Sequence, residues 1–128
     1  MNNQKNIVLC GVGGQGTVLA SKLLAAAAMS KDIPVMSAET IGMAQRGGSV
    51  FSHLRMGDNL YSPMIETGTA DLIIGFEPGE TVRMLPYLKD HGHIVVSTRA
   101  VKPVTATLSG SDYDAPQMLE YLKAAVPN

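Results

Sequence analysis

The chain has 128 residues, 45% of them hydrophobic and 16% charged, with a formal net charge of −1 and a pI near 6.3. That suits one α/β domain, residues 1–128, with a real core and no second domain; it offers no basic face for nucleic acid and no apolar run of the ~18 residues a membrane span needs. The single cysteine, Cys10, excludes an internal disulfide and, within this chain alone, an iron–sulfur cluster or a structural zinc site.

Ile7-Val8-Leu9-Cys10 is a short continuous apolar run, the pattern of a central parallel strand buried on both faces. Cys10 then reads as a small core residue rather than a nucleophile. The run ends in Gly11-Val12-Gly13-Gly14-Gln15-Gly16, and an Ala- and Leu-rich segment follows. Glycines 11, 13 and 16 have the G-x-G-x-x-G spacing of a dinucleotide-binding turn between strand and helix. Such a turn brings bare amides and the positive end of a helix to one surface. It serves equally well to let the helix pack closely on the sheet. The helix is expected over residues 14–29, with Val18, Leu19, Leu23 and Ala26 inward, and Asp32 and Pro34 end it.

Val35 to Glu39 reads as a second strand. Glu39 lies about twenty residues past the glycine turn, where a dinucleotide-binding fold keeps its ribose acid; the alternative is a solvated strand-end carboxylate. Gly42-Met43-Ala44-Gln45-Arg46-Gly47-Gly48-Ser49 reads as a loop. Its paired glycines beside Arg46 suit either a backbone nest for an anion or a contact loop for a partner. Residues 49–56 alternate, with Val50, Leu54 and Met56 on one face and Phe51, His53 and Arg55 on a wet one. With a turn at Gly57-Asp58-Asn59 and a return at Leu60-Tyr61-Ser62, residues 49–64 read as an inserted β-hairpin, Pro63 marking an edge.

Leu72 to Phe76 is a further buried strand ending at Glu77-Pro78. Glu77 sits where open α/β sheets bind ligands, or it is an acid at a helix N-terminus. A helix over residues 79–89 follows, with Val82, Leu85 and Leu88 inward and Pro86 splitting it. Ile94 to Ser97 and Val104 to Leu108 read as strands, and Asp114 as the cap of a last helix with Leu119, Leu122 and Ala125 inward. His91 and His93 flank a glycine turn and make poor evidence for a metal. The fold class is α/β: a three-layer, Rossmann-like, mostly parallel sheet with an inserted β-hairpin. Few charges and eight methionines point to surface that a partner covers. The N-terminus lacks the long apolar core of a signal peptide, so a cytoplasmic location is expected.

In order along the chain stand Gly11-Val12-Gly13-Gly14-Gln15-Gly16, Gly42 to Ser49, Ser52-His53-Leu54-Arg55, Tyr61-Ser62-Pro63 and Phe76-Glu77-Pro78. This set resembles the gamma-type subunits of 2-oxoacid:ferredoxin oxidoreductases, and among them the beta subunit of indolepyruvate ferredoxin oxidoreductase, from about Asn6 to Ala125. The resemblance implies a subunit of a complex that oxidatively decarboxylates a 2-oxoacid, such as indolepyruvate or pyruvate, to its acyl-coenzyme A and passes electrons to ferredoxin. Thiamine diphosphate and iron–sulfur clusters would sit on partner subunits, and this chain alone would bind no cofactor and supply no catalytic residue. Gly11, Gly13, Gly14, Gln15 and Gly16, with Gln45, Arg46, Gly47 and Gly48, would form a surface for a partner subunit or for coenzyme A. Family members continue past the last residue here with a further strand and helices, and an isolated short chain would be inactive or would dimerise. Two other readings are a stand-alone nucleotide module for NAD(P), FAD or ATP using Gly11, Gly13, Gly16 and Glu39, and an E1-like adenylating domain.

Overall fold

The computed structural model describes residues 4–41, 49–99 and 115–126. Its elements are β1 (Lys5–Val12), α1 (Thr17–Ser30), β2 (Val35–Ile41), β3 (Ser49–Met56), β4 (Ala70–Gly75), α2 (Pro78–Met84), a 3-10 turn (Leu85–Tyr87), β5 (Leu88–Val96) and α3 (Ala115–Ala125). The five strands form one mixed sheet in the order β2-β3-β1-β4-β5. β1, β4 and β5 run parallel, and β3 runs antiparallel to both its neighbours.

The apolar run predicted as a central strand is one: Val8, Leu9, Cys10 and Val12 in β1 are at most 1% exposed. The register sorts side chains onto two faces, since paired residues on adjacent strands point the same way. His53, Val8, Ile73 and Ile94 share one face, and Ser52, Leu9, Ile74 and Val95 the other. The main core is on the first face, where Val8, Cys10, Ala70 and Ile73 pack with Ile65 and with Met84 and Tyr87 from the helical layer. α2 lies over β1 and β4 on that side, with α3 against it, and α1 lies over β3, β2 and β1 on the other. Three layers result, as expected.

Several details depart from the sequence reading. The arm pairing with β3 on its outer side is β2, and Leu60-Tyr61-Ser62 forms no strand. The reversed strand therefore sits inside the sheet instead of at its rim. That position buries what looked like a wet face, and His53 is fully buried. Residues 57–62 instead run as an irregular strap. Arg55 holds it to the start of β1, donating from Nη1 to the Ser62 carbonyl (2.9 Å), from Nε to Asn6 Oδ1 (3.0 Å) and from Nη2 to Gln4 Oε1 (3.2 Å).

α1 also turns the other way. It buries Thr17, Ser21 and Ala28, while Leu19 and Leu23, expected inward, are 61% and 62% exposed. Small side chains on the inner face let the helix sit close to the sheet. The helix ends where Asp32 takes a left-handed φ of 58°, as the Asp-Pro signal implied. Pro86 does break the second helix into α2 and the 3-10 turn. β5 starts at Leu88, well before the expected Ile94, and carries an irregularity in its register opposite Ala70 to Leu72. In α3 Leu122 is buried and Ala125 is exposed. The strand expected at Val104 to Leu108 and the cap at Asp114 lie outside the described residues.

Candidate functional site

The glycine loop folds as a tight link from β1 to α1. Gly14 and Gly16 take φ of 92° and 93°, a left-handed backbone that a side chain would strain. Gly16 occupies the position before the helix and offers no side chain to cap it, and no acid follows in the first turn. The free amides at that end, with the helix dipole, favour a negative or hydrogen-bond-accepting group.

Gln15 is not a free amide facing solvent. Its Oε1 accepts from the Val12 N–H at 2.6 Å and its Nε2 donates to the Phe76 carbonyl at 3.1 Å. The side chain thereby ties the loop to the segment leaving β4. Gly11 makes room for this tie. A Cβ there would lie 2.7 Å from Thr17 Oγ1 and 2.8 Å from Gln15 Oε1.

Beside the loop is a cavity of about 280 Å³ lined by Val12, Gly13, Gly14, Gly16, Thr17, Val18, Leu19 and Val50. Its walls are apolar side chains and glycine backbone. Thr17 is 3% exposed and its Oγ1 has no hydrogen-bond partner among the described residues. Thr17, Leu19 and Val50 are lining residues that the sequence reading missed. Apolar periodicity sent Leu19 inward, and no spacing rule links Val50 to the loop.

Gln45, Arg46, Gly47 and Gly48 lie outside the described residues, but both flanks of their segment are fixed. Val12 pairs with Ser49, Gly11 with Val50, and Val50 in turn with Ile41. Residues 41 and 49 thus stand at the sheet end that carries the glycine loop. Phe76 joins them there, its N–H donating to the Cys10 carbonyl at 2.8 Å. Three segments far apart in sequence meet at one end of the sheet.

Glu77 is fully buried and caps α2: its Oε1 accepts from the Glu80 N–H at 3.0 Å. The helix-terminus role weighed for it in the sequence is the one it fills. Glu39 is exposed on β2, at the sheet edge. β3 stands between β2 and β1, which sets Glu39 two strand spacings, roughly 10 Å, from the glycine-loop strand. A ribose acid belongs on the strand next to that loop, so the nucleotide reading loses its second contact.

His91 and His93 are exposed, and among the described residues no group of three or more His, Cys, Asp or Glu is placed to hold a metal ion. His53 accepts a hydrogen bond from the Ile65 N–H through Nδ1 at 2.9 Å, which puts the proton of the neutral ring on Nε2. Burial depresses its pKa below the ordinary value.

Burial also pushes the Cys10 thiol up to about 12; a weak hydrogen bond to Thr81 opposes the rise, and the Glu80 and Glu77 carboxylates add to it. The thiolate is the reactive form, so Cys10 is inert in the folded chain. Iodoacetamide at pH 8 is expected to leave the native protein unmodified over hours and to alkylate it fully in denaturant, as read by intact mass. Rapid native labelling would refute the buried assignment.

The chain is similar in sequence and in fold to proteins of one family. The family model for pyruvate ferredoxin/flavodoxin oxidoreductase matches residues 6–125. The chain is 42% identical over 108 residues to the indolepyruvate oxidoreductase subunit IorB of Methanothermobacter thermautotrophicus, covering 84% of this chain and 55% of that protein. It is 31% identical over 94 residues to the pyruvate/ketoisovalerate oxidoreductases common subunit gamma of Thermococcus kodakarensis, covering 72% of this chain and 51% of that one. The chain therefore spans about half the length of the curated relatives it matches. Among solved structures, the pyruvate oxidoreductase subunit PORC of Thermotoga maritima shares the fold with a TM-score of 0.59 at 22% identity, over 84% of this chain and 56% of that chain. The 2-oxoglutarate:ferredoxin oxidoreductase of Magnetococcus marinus does so with a TM-score of 0.68 at 19% identity, over 89% of this chain and 18% of that chain.

Proposed function

As the chain belongs to the pyruvate ferredoxin/flavodoxin oxidoreductase family, we propose that it serves as a gamma-type subunit of a cytoplasmic 2-oxoacid:ferredoxin oxidoreductase. The complex would decarboxylate a 2-oxoacid oxidatively, form its coenzyme A thioester and pass the electrons to ferredoxin. This chain's role is assembly and positioning. Its one cysteine is buried and cannot by itself hold an iron–sulfur cluster, which supports placing the clusters on partner chains; the subunit reading places thiamine diphosphate there too.

The carrying observation is the register that sets both flanks of residues 42–48 beside the glycine loop. It supports reading Gly11, Gly13, Gly14, Gln15 and Gly16 together with Gln45, Arg46, Gly47 and Gly48 as one surface. Within it Gln15 shapes the loop, and the glycine amides are the groups left to meet a partner or coenzyme A. A cavity of about 280 Å³ suits a narrow arm of a ligand or one inserted side chain, below the size of an ordinary cofactor pocket.

Co-expression with a thiamine-binding 2-oxoacid oxidoreductase chain from the same organism tests the reading. The expected result is co-elution as a stoichiometric complex whose 2-oxoacid-dependent ferredoxin reduction requires this chain. Separate elution, or tight calorimetric binding of NAD or ATP by the isolated chain, would sink it.

A further inference from the structure

We propose that the chain carries a second site, for a free α-amino acid, in the cavity that Arg55 and Glu66 share at the end of the sheet away from the glycine loop. The site is independent of the subunit reading, because no group of the glycine loop takes part in it.

The cavity has a volume of about 450 Å³ and is lined by Arg55, Ser62, Met64, Glu66 and Thr69 with the start of β1. Asn6, in its wall, lies near the opposite end of β1 from Val12, roughly 20 Å away. Arg55 is half-buried there. Its three hydrogen bonds go to the Ser62 carbonyl and to the side-chain oxygens of Asn6 and Gln4, all of them neutral. These partners hold the strap but leave the charge unbalanced, and each terminal nitrogen keeps one N–H. A guanidinium withdrawn from water with spare donors attracts an anion, and a carboxylate matches it in shape. Ser62 adds a donor: its Oγ accepts from the Met64 N–H at 3.2 Å, which leaves the hydroxyl proton to give.

Glu66 supplies the opposite charge. Among the described residues it forms no ion pair with Arg55, although both line the cavity. Its backbone is fixed at the rim. The Glu66 carbonyl accepts from the Thr69 N–H at 3.3 Å and from the Thr69 hydroxyl at 2.6 Å, closing a turn through Gly68 at a φ of 77°. A cation and an anion that share a cavity without neutralising each other fit a ligand that carries both charges. An α-amino acid has its carboxylate and ammonium on one carbon. The carboxylate would meet Arg55 and Ser62, the ammonium would meet Glu66, and an apolar side chain would lie along Met64, which is 50% exposed. A phosphate would meet repulsion from Glu66, and a 2-oxoacid would leave Glu66 unpaired. The volume lies within the range of small-ligand pockets.

Titration calorimetry of the intact chain tests the site with L-leucine, L-methionine and L-phenylalanine, each beside the 2-oxoacid and the amine that share its side chain. At least one amino acid should bind with a Kd of roughly 1 mM or below, and its 2-oxoacid and amine at least about tenfold more weakly. Glu66→Gln, which alters an exposed side chain, should weaken the amino acid about tenfold and leave the 2-oxoacid unchanged or tighter. Arg55→Lys should weaken both about tenfold, with far-UV circular dichroism as the check on folding. Amide NMR shifts on titration should centre on Asn6, Ser62 and Thr69. If Arg55→Lys does not fold, Glu66→Gln and the NMR map decide alone. No binding of any of the three amino acids up to about 20 mM would overturn the site. So would equal affinity for an amino acid and its 2-oxoacid, wild-type affinity in Glu66→Gln, or shifts centred on Gly13 and Gly14.

Discussion

Gly75→Ala is expected to cost about 3 kcal/mol and to lower the melting temperature by roughly 10 °C. A Cβ on Gly75 would lie 1.8 Å from Thr81 Oγ1 and 2.9 Å from Thr81 Cβ. Neither atom can swing aside. Thr81 is fully buried, and its hydroxyl donates to the Glu77 carbonyl at 2.7 Å while its N–H donates to the same oxygen at 3.0 Å. α2 must therefore lift off β4 and β1 as a unit, which loosens the cap at Glu77 and the packing over Cys10. Removing the Thr81 hydroxyl and methyl by Thr81→Ala should relieve part of the clash. The double variant is then less destabilised than the sum of the singles by about 1 kcal/mol or more. Strict additivity in chemical denaturation would mean that this contact is not the cause.

Stability should fall as pH drops below about 6.5, and His53 should account for a definable share of the fall. The folded state holds its ring neutral, because protonating Nδ1 breaks the bond from Ile65 N–H inside a dry core beside Phe51 and Tyr87. The unfolded chain protonates near the ordinary value of 6.5, and the folded chain at a lower pH. Between those two values the unfolded state binds more protons, so stability is full above pH 6.5 and declines as pH falls toward the folded pKa. One such group gives a slope of at most about 1.4 kcal/mol per pH unit. His53→Phe should remove that slope and cost about 1–3 kcal/mol at pH 7.5, since the buried Ile65 N–H loses its acceptor. Urea titrations of both proteins at pH 7.5 and 5.5 decide the matter, and an unchanged difference between the two pH values in the variant would refute the assignment.

Local signals carried much of the fold. The apolar runs at Ile7 to Cys10 and Leu72 to Phe76 were legible as central strands, because a strand buried on both faces leaves no alternation to misread. Pro86 announced the break after α2, and the glycine spacing announced the turn into α1. Pairing was harder. Nothing near Ser49 says that its strand partner is Val35 to Ile41 instead of Leu60 to Ser62, since the choice is made by long-range packing and not by turn chemistry. α1 misled for a different reason. Periodicity finds an apolar stripe and assigns it to the core, yet here Thr17, Ser21 and Ala28 make the close approach and the leucines are left outside. At the candidate site, the two glycine motifs could be read in the sequence, but the placing of Ile41 and Ser49, the flanks of the second, at the end of the sheet that carries the first depends on strand pairing.

The reversed strand β3 also dictates the order in which the sheet can form as the chain leaves the ribosome. β1 and β2, consecutive in the chain, never touch each other in the ladder; each pairs with β3. A nascent chain that has not yet released Ser49 to Met56 holds two apolar strands with no partner for either. Closing the ladder means joining Val12 to Ser49 and, later, Cys10 to Gly75 across long loops, a slow event by its topology. Until β3 and then β4 take their places, the open strand edges of β1 and β2 are the segments most exposed to wrong pairing between chains.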